Sequence, residues 1–345
     1  MIRLRDFGAD NPRGQVDFPK MRKGGVDASF FALYIPAELS VDQARGHMWR
    51  LFDELERQVA ATLPAGPPEG RGVAFARNAA EVLANKANGR LSVMIGLENG
   101  SPIGNDLSMI SALYERGVRY ITLTHSADNQ ICDSCTGGGK WGGLSPFGRE
   151  VILEMNRVGM LIDVAHSSWS TIEDVLSLSS APIAYTHGCC HALAAHHRNL
   201  PDPLLRGIAD GGGVVGMSVY PPFLSEAFCR ALSDSRLEDK MWIESEFNAD
   251  PGNPLKARSW WAVQDELASL PRPGVGRVVD HIEHAVSVCG VGGVGIGTDF
   301  DGIEVTADGL EDISKMGAIF VEMRRRGWSG EDISSVAGGN FLRLL

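Results

Sequence analysis

"MLIDVAHSSWSTIEDVLSLSSAPIAYTH", residues 160–187, holds two short apolar runs that each end in a histidine, with a helical stretch between them. The first run, 160–166, ends at His166, and the second, 182–187, ends at His187. Short apolar runs joined through a helix read as strands buried on both faces, the kind found in parallel sheets. The unit recurs along the chain. Further runs fall at 27–36, 92–98, 120–125, 214–220 and 293–299, and helical patterns separate them. One helix opens at Ser40 with Gln43 three residues on, a capping-box pattern, and continues through a stripe of Ala44, Met48, Leu51, Phe52 and Leu55. A Pro/Gly-rich loop is expected at 64–72, followed by a helix over 75–89 that Gly89 stops.

Seven runs alternating with helices predict an α/β fold with a parallel sheet. What stands at the run ends selects its type. Glu98, His125, His166, His187 and Asp299 each close one run. In a (β/α)8 barrel the strand ends converge on one mouth, where active sites are built. A doubly wound open sheet would gather such groups at a single switch point instead. No phosphate-binding glycine motif supports that alternative, because "GIADGGG" (207–213) lies on a helix-to-strand turn. The expectation is a TIM-type barrel forming a single domain over 1–345. A polar insert at 221–275, containing Trp242, Trp260 and Trp261, is expected over or beside its mouth.

Composition narrows the function classes. The chain has 345 residues, with 32 lysines and arginines against 43 aspartates and glutamates, a net charge of -11. An acidic chain without a basic block is a poor match for nucleic acid or an anionic membrane. No apolar run approaches the roughly 20 residues of a membrane span, and the opening "MIRLRDFGADN" lacks a signal-peptide core. The six cysteines show no secreted disulfide spacing, so a cytoplasmic protein is expected. Cys132 and Cys135 form a CxxC with no second pair, and read as loop thiols. Cys189 and Cys190 read as packing thiols. His281 and His284 lie on a helix that enters from the far end of the barrel, and read as structural. His191, His196 and His197 follow His187 and are placed to line the mouth.

Glutamate, two histidines and aspartate make a nitrogen and oxygen donor set that suits zinc better than magnesium or calcium. A glutamate bridging two metals around a shared hydroxide lowers the pKa of water and polarises a carbonyl, which points to hydrolysis of amides or esters. His125 is then free to stabilise an oxyanion. Asp299 can take the proton of the water and pass it to a leaving amine. Arg198, eleven residues after His187, is placed to grip a carboxylate in a bidentate fork. A peptide with a free C-terminal carboxylate fits that role, and a surface arginine paired with a nearby acid fits the spacing equally well.

Taken together, "GQVDFPKMRKGGVDASFFALYIP", "IGLENG", "RGVRYITLTHSADN", "GLSPFGREVILEMNRVGMLIDVAHSS", "APIAYTHGCCHALAAHHRNLPD", "GGVVGMSVYPPFL", "VGIGTDFDG" and "AGGNFLRLL" resemble the membrane (renal) dipeptidase family, peptidase family M19 of the amidohydrolase superfamily. The resemblance covers nearly the whole chain. It implies a TIM barrel with two zinc ions that hydrolyses dipeptides, often with a D-residue at the C-terminal position. On it, Glu98 matches the metal-bridging glutamate, and His166 and His187 match the two histidines of one metal. Asp299 matches the aspartate of the other metal and the proton shuttle. His125 matches the histidine that polarises the substrate, and Arg198 the arginine that binds its carboxylate. Tyr220 is expected beside them on the substrate. A homodimer is the assembly allowed for.

Two departures stand out. Where the family reads E-G-G, this chain has Glu98–Asn99–Gly100, a change expected to be tolerated in a loop. The family's first strand ends in an H-x-D motif that serves the second metal, yet no histidine precedes His47. The expectation is that the natural sequence starts upstream and carries the motif. The alternative is a protein without that strand; on either account the 345 residues as given are expected to bind close to one metal and to show little or no dipeptidase activity. The rivals are another amidohydrolase acting on a lactone, a cyclic amide or an N-acyl amino acid, and a non-catalytic metal or peptide binder.

Overall fold

A computed structural model describes residues 6–62, 72–250 and 252–345. The loop expected at 64–72 lies outside the described residues, save for its last one. Among the described residues eight strands form one sheet: β1 (Ala28–Tyr34), β2 (Val73–Phe75), β3 (Leu91–Glu98), β4 (Val118–Thr122), β5 (Leu161–Asp163), β6 (Ala184–Gly188), β7 (Val214–Met217) and β8 (Val294–Ile296). All pairings are parallel, in the order β1-β3-β4-β5-β6-β7-β8, with β2 added on β3. All seven expected runs are strands, and the sheet curls as the wall of a TIM-type barrel.

Between β1 and β8 no ladder forms among the described residues. Side chains bridge that gap at the mouth. Asp301, just past β8, accepts from the backbone N–H of Gln15 at 2.9 Å and of Val16 at 3.1 Å. Gln15 in turn accepts from the Asp301 N–H at 2.6 Å and donates to the Ile303 carbonyl at 3.0 Å.

Two expected boundaries need correction. The helix expected over 75–89 spans only Ala79–Ala87, capped by Asn78 accepting from the Glu81 N–H. Phe75 instead ends β2, a three-residue strand too short to show a period. β2 pairs with the start of β3 and β4 with its end, across an irregularity between Ile95 and Gly96. Gly96 is required there, because the Tyr120 ring lies 2.1 Å from where a Cβ would sit. The second correction concerns the strand ends. β4, β5 and β8 stop earlier than expected, so His125, His166 and Asp299 each stand three residues beyond the last paired position.

Helix Val41–Ala61 starts at the capping box of Ser40 and Gln43, with both hydrogen bonds made. Its stripe of Ala44, Met48, Leu51, Phe52 and Leu55 is buried against the sheet. Each larger side chain of that stripe contributes about 1.5–3 kcal/mol of transfer free energy.

The insert is not simply polar. Helices Glu226–Ser235, Trp242–Ala249 and Pro254–Ser269, with the 3-10 turn Leu237–Lys240, enclose a core of their own around Phe228, Leu237, Trp260, Val263 and Leu267, while Phe223 and Leu224 of the short helix Pro221–Leu224 join the barrel core. Tyr220 and Val305, from the barrel mouth, pack into that core. Trp260 is 1% exposed, whereas Trp242 is 64% exposed. Trp261 carries the Arg13 guanidinium over its ring at 5.7 Å. Arg13 also pairs with Asp265, which ties the insert to the segment before the first helix.

The six cysteines are free, and Cys132, Cys189 and Cys190 are buried. His281 is buried on its helix, accepting from the Cys190 N–H at 3.2 Å with Nε2 facing the Leu224 carbonyl at 3.2 Å. His284 pairs with Asp202 at 2.8 Å. Among the described residues no helix is long and apolar enough to cross a membrane.

Candidate metal centre and active site

Glu98 is the last residue of β3 and is flanked in register by Tyr34 of β1 and Thr122 of β4, which fixes it at the mouth. His187 is the penultimate residue of β6. His166 follows β5 in a left-handed conformation, φ 66°, that turns its ring back toward the sheet. The Nε2 atoms of His166 and His187 lie 2.9 Å apart. Glu98 Oε1 is 3.2 Å from His166 Nε2 and 3.7 Å from His187 Nε2.

Three donors bound tetrahedrally at 2.0–2.1 Å lie about 3.3 Å from one another. The observed separations bracket that value, so the triad has the spacing of a site that could hold a divalent metal. Among the described residues Glu98, His166 and His187 form the group able to hold an ion, and Asp299 is not part of it. Burial pushes the pKa of His166 and of His187 well below the ordinary histidine value, and the Arg198 charge adds to this. Both rings are therefore neutral, the form that ligates metal.

Asp299 follows β8 with φ 59°. A non-glycine residue held there costs on the order of 1–3 kcal/mol, a strain that clusters at functional sites. Burial raises its pKa well above the carboxylate range, the neighbouring Glu98 adds to this, and Arg198 opposes it. Its Oδ1 lies 2.2 Å from the Cβ that any side chain at Gly302 would bring, so Gly302 is a condition of this placement.

The His125 ring meets Tyr34 edge to face, with centroids 4.8 Å apart, and lies tilted against His166, with centroids 4.0 Å apart. Its Nδ1 is buried without a hydrogen-bond partner, and burial lowers the pKa of the ring.

Arg198 is 5% exposed, so it is no surface residue. Its Nη1 donates to the Tyr185 hydroxyl at 2.7 Å and its Nη2 to the His187 carbonyl at 3.4 Å. The Tyr185 hydroxyl donates to the Arg198 carbonyl. Among the described residues Arg198 forms no ion pair with a carboxylate. A buried guanidinium without an anionic partner is costly, and an incoming carboxylate would relieve that cost.

Arg198, His125 and His166 line a cavity of about 500 Å³. Tyr220 shares its wall, with its hydroxyl on Glu304 and its ring against Phe223 at 4.9 Å. Pro222, Phe223, Cys229, Leu232 and Glu238 bring the insert into the same wall. His196 and His197 line it too. His191 packs instead on Trp169, with ring centroids 5.4 Å apart.

Sequence reasoning missed the residues that hold these groups. Asn99 occupies φ 81°, a left-handed position that asparagine tolerates better than most residues. Its amide donates to the Ile35 carbonyl at 3.0 Å and accepts from the Ser101 N–H and the Asn129 amide, each at 3.1 Å. That explains the departure from glycine beside Glu98. Asp163 and Thr186 are buried and half-buried beside His187. Burial raises the pKa of Asp163, against hydrogen bonds from Thr122, Thr186 and Ala165 that lower it. Their only sequence signal is position, three residues before His166 and one before His187.

The family model described as membrane dipeptidase (peptidase family M19) matches residues 2–345. The dipeptidase aclJ of Aspergillus oryzae is 31% identical over 339 residues, covering 97% of this chain and 70% of its own. The probable dipeptidase PvdM of Pseudomonas aeruginosa superposes with a TM-score of 0.81 at 27% identity, over 98% of this chain and 91% of its own. A metallo peptidase from Rhodobacter sphaeroides, liganded with a phosphinate mimic of the dipeptide L-Ala-D-Ala, shares the fold with a TM-score of 0.78 at 23% identity, over 97% and 90% of the two chains.

Proposed function

Because the chain belongs to the membrane dipeptidase family, peptidase family M19, we propose that it is a metal-dependent dipeptidase that binds zinc at Glu98, His166 and His187 and cleaves dipeptides that carry a free C-terminal carboxylate. One observation carries this reading. A metal-type triad and a buried arginine without an anionic partner share one cavity mouth. A metal at the triad would supply Lewis-acid polarisation of the scissile carbonyl and a water of lowered pKa.

The remaining work falls to this chain's own residues. Arg198 grips the substrate carboxylate in a bidentate, charge-assisted contact, and Tyr185 holds its guanidinium in place. That contact fixes how far the scissile bond sits from the triad. His125, neutral at physiological pH, donates an N–H to the carbonyl oxygen as negative charge develops on it. Asp299, with its raised pKa, takes a proton from the attacking water and delivers it to the leaving amine. Tyr220, Phe223 and the insert close the outer wall and select among substrate side chains.

Among the described residues one group, Glu98, His166 and His187, is able to hold a metal, and Asp299 lies outside it. That favours a second reading, a single-zinc protein that hydrolyses weakly. One panel separates the readings. The zinc-loaded chain is given free dipeptides, their C-terminal amides, N-acyl amino acids and a lactone, with zinc counted in the same samples. Turnover of free dipeptides well above that of the amides supports the dipeptidase. One zinc with weak or no turnover supports the second reading, and preferred turnover of acyl amino acids or the lactone overturns the substrate assignment.

A further inference from the structure

The hydroxyl of Thr186 stands between two partners. It donates to Asp163 Oδ2 at 2.8 Å, and its Oγ1 is 2.9 Å from Nδ1 of His187. Asp163 is fully buried at the end of β5. Its two oxygens are not equivalent. Oδ1 accepts from two backbone N–H groups, those of Thr186 at 2.9 Å and Ala165 at 3.1 Å. Oδ2 accepts from two hydroxyls, those of Thr122 at 2.6 Å and Thr186 at 2.8 Å.

A hydroxyl has one proton to give. When Thr186 gives it to Asp163, only lone pairs of Oγ1 remain to face His187. Nδ1 of His187 must then carry the ring proton, which leaves Nε2 with its lone pair. Nε2 is the atom that faces His166 and Glu98.

We propose that Asp163 is a positioning residue that acts through Thr186 to hold His187 in the tautomer whose Nε2 is free to bind metal. The proposal rests on the reading of His187 as a ligand. It belongs to the general class of outer-shell partners that orient metal-binding histidines. Here the partner is a hydroxyl relay, not a direct carboxylate.

The unequal oxygens make Asp163→Asn a sharp test. The asparagine carbonyl must take the Oδ1 position, because two backbone N–H groups can only donate. Its NH2 then faces the two threonine hydroxyls and turns both into acceptors. The Thr186 proton is redirected to Nδ1 of His187, and the ring proton moves to Nε2. Volume is conserved while the tautomer is reversed.

Ring-nitrogen NMR shifts of His187 in the full, chelator-treated chain at mildly alkaline pH read this directly. The wild type is expected to show a protonated Nδ1 and a bare Nε2, and Asp163→Asn the reverse. Thr186→Ser should match the wild type, and Thr186→Val should lose the fixed tautomer. Zinc affinity should fall about 10- to 100-fold in Asp163→Asn and stay near wild type in Thr186→Ser. Melting temperatures confirm which variants fold, and Thr186→Val and Thr186→Ser carry the test if Asp163→Asn does not. A wild-type His187 protonated at Nε2 would overturn the proposal. So would a tautomer unchanged in folded Asp163→Asn, or in Thr186→Val. Failure of zinc to bind the wild type would overturn the metal reading instead, and the ring shifts would still judge the relay.

Discussion

Tyr185 and Arg198 hold each other from both ends: the guanidinium Nη1 donates to the phenol oxygen at 2.7 Å, and the phenol donates back to the carbonyl of Arg198. The pair fixes a buried cation at the cavity wall. Arg198→Ala should therefore weaken hydrolysis of free dipeptides by about 1.5–3 kcal/mol, the range of a charge-assisted contact, mainly through KM. Hydrolysis of C-terminally amidated dipeptides should change far less. Steady-state kinetics on both substrate series checks this, and equal losses on both would remove the carboxylate role.

Gly302 allows Asp299 its position. Since Asp299 Oδ1 lies 2.2 Å from the Cβ an alanine would add, Gly302→Ala must displace the carboxylate. A shift of this kind is expected to lower kcat by up to about 100-fold. Zinc binding at Glu98, His166 and His187 should persist. Elemental analysis beside kcat separates the two effects.

Asn99 tests the local backbone beside Glu98. Asn99→Ala loses three hydrogen bonds and leaves a Cβ at φ 81°, whereas Asn99→Gly loses the bonds but relieves the strain. Alanine should be the more destabilising of the two by about 1–2 kcal/mol. Urea unfolding of both variants measures the difference.

The residues that remained illegible in the sequence share a physical reason. The strands were visible because both faces of the central ones, β3 to β7, are largely buried, which writes an apolar run; β1 is half-buried and was visible through its apolar residues Phe30, Phe31, Ala32 and Leu33. The convergence of Glu98, His166 and His187 followed from the rule that parallel strand ends share a mouth. The turn beyond each strand was not visible. His166 and Asp299 sit three residues past their ladders because left-handed backbone bends the chain back, and no residue type announces that when the residue is not glycine. The insert misled because its core is built from residues spaced over three helices and a 3-10 turn, so no short window looks apolar. Thr186 and Asp163 act by hydrogen-bond direction, which spacing does not encode.

His281 links stability to pH. Its burial lowers its pKa to about 4, against an ordinary 6.5. The folded state thus binds fewer protons than the unfolded state between those values, and stability falls as pH drops from 6.5 toward 4. Each pKa unit corresponds to about 1.4 kcal/mol, so this one ring accounts for a few kcal/mol at most. His281→Gln, which keeps one acceptor or donor in place of the ring, should flatten the decline in melting temperature over that window. An unchanged acid limb would show that other groups dominate.

The central claim is that Glu98, His166 and His187 form a metal site, and counting zinc tests it most directly. The chelator-treated 345-residue chain is titrated with zinc, and bound metal is measured by elemental analysis alongside His166→Ala and His187→Ala. The expected result is close to one tightly held zinc per chain, lost in both variants while their melting temperatures without metal stay near that of the wild type. No zinc above background in the wild type, or zinc retained at full occupancy in either folded variant, would contradict it.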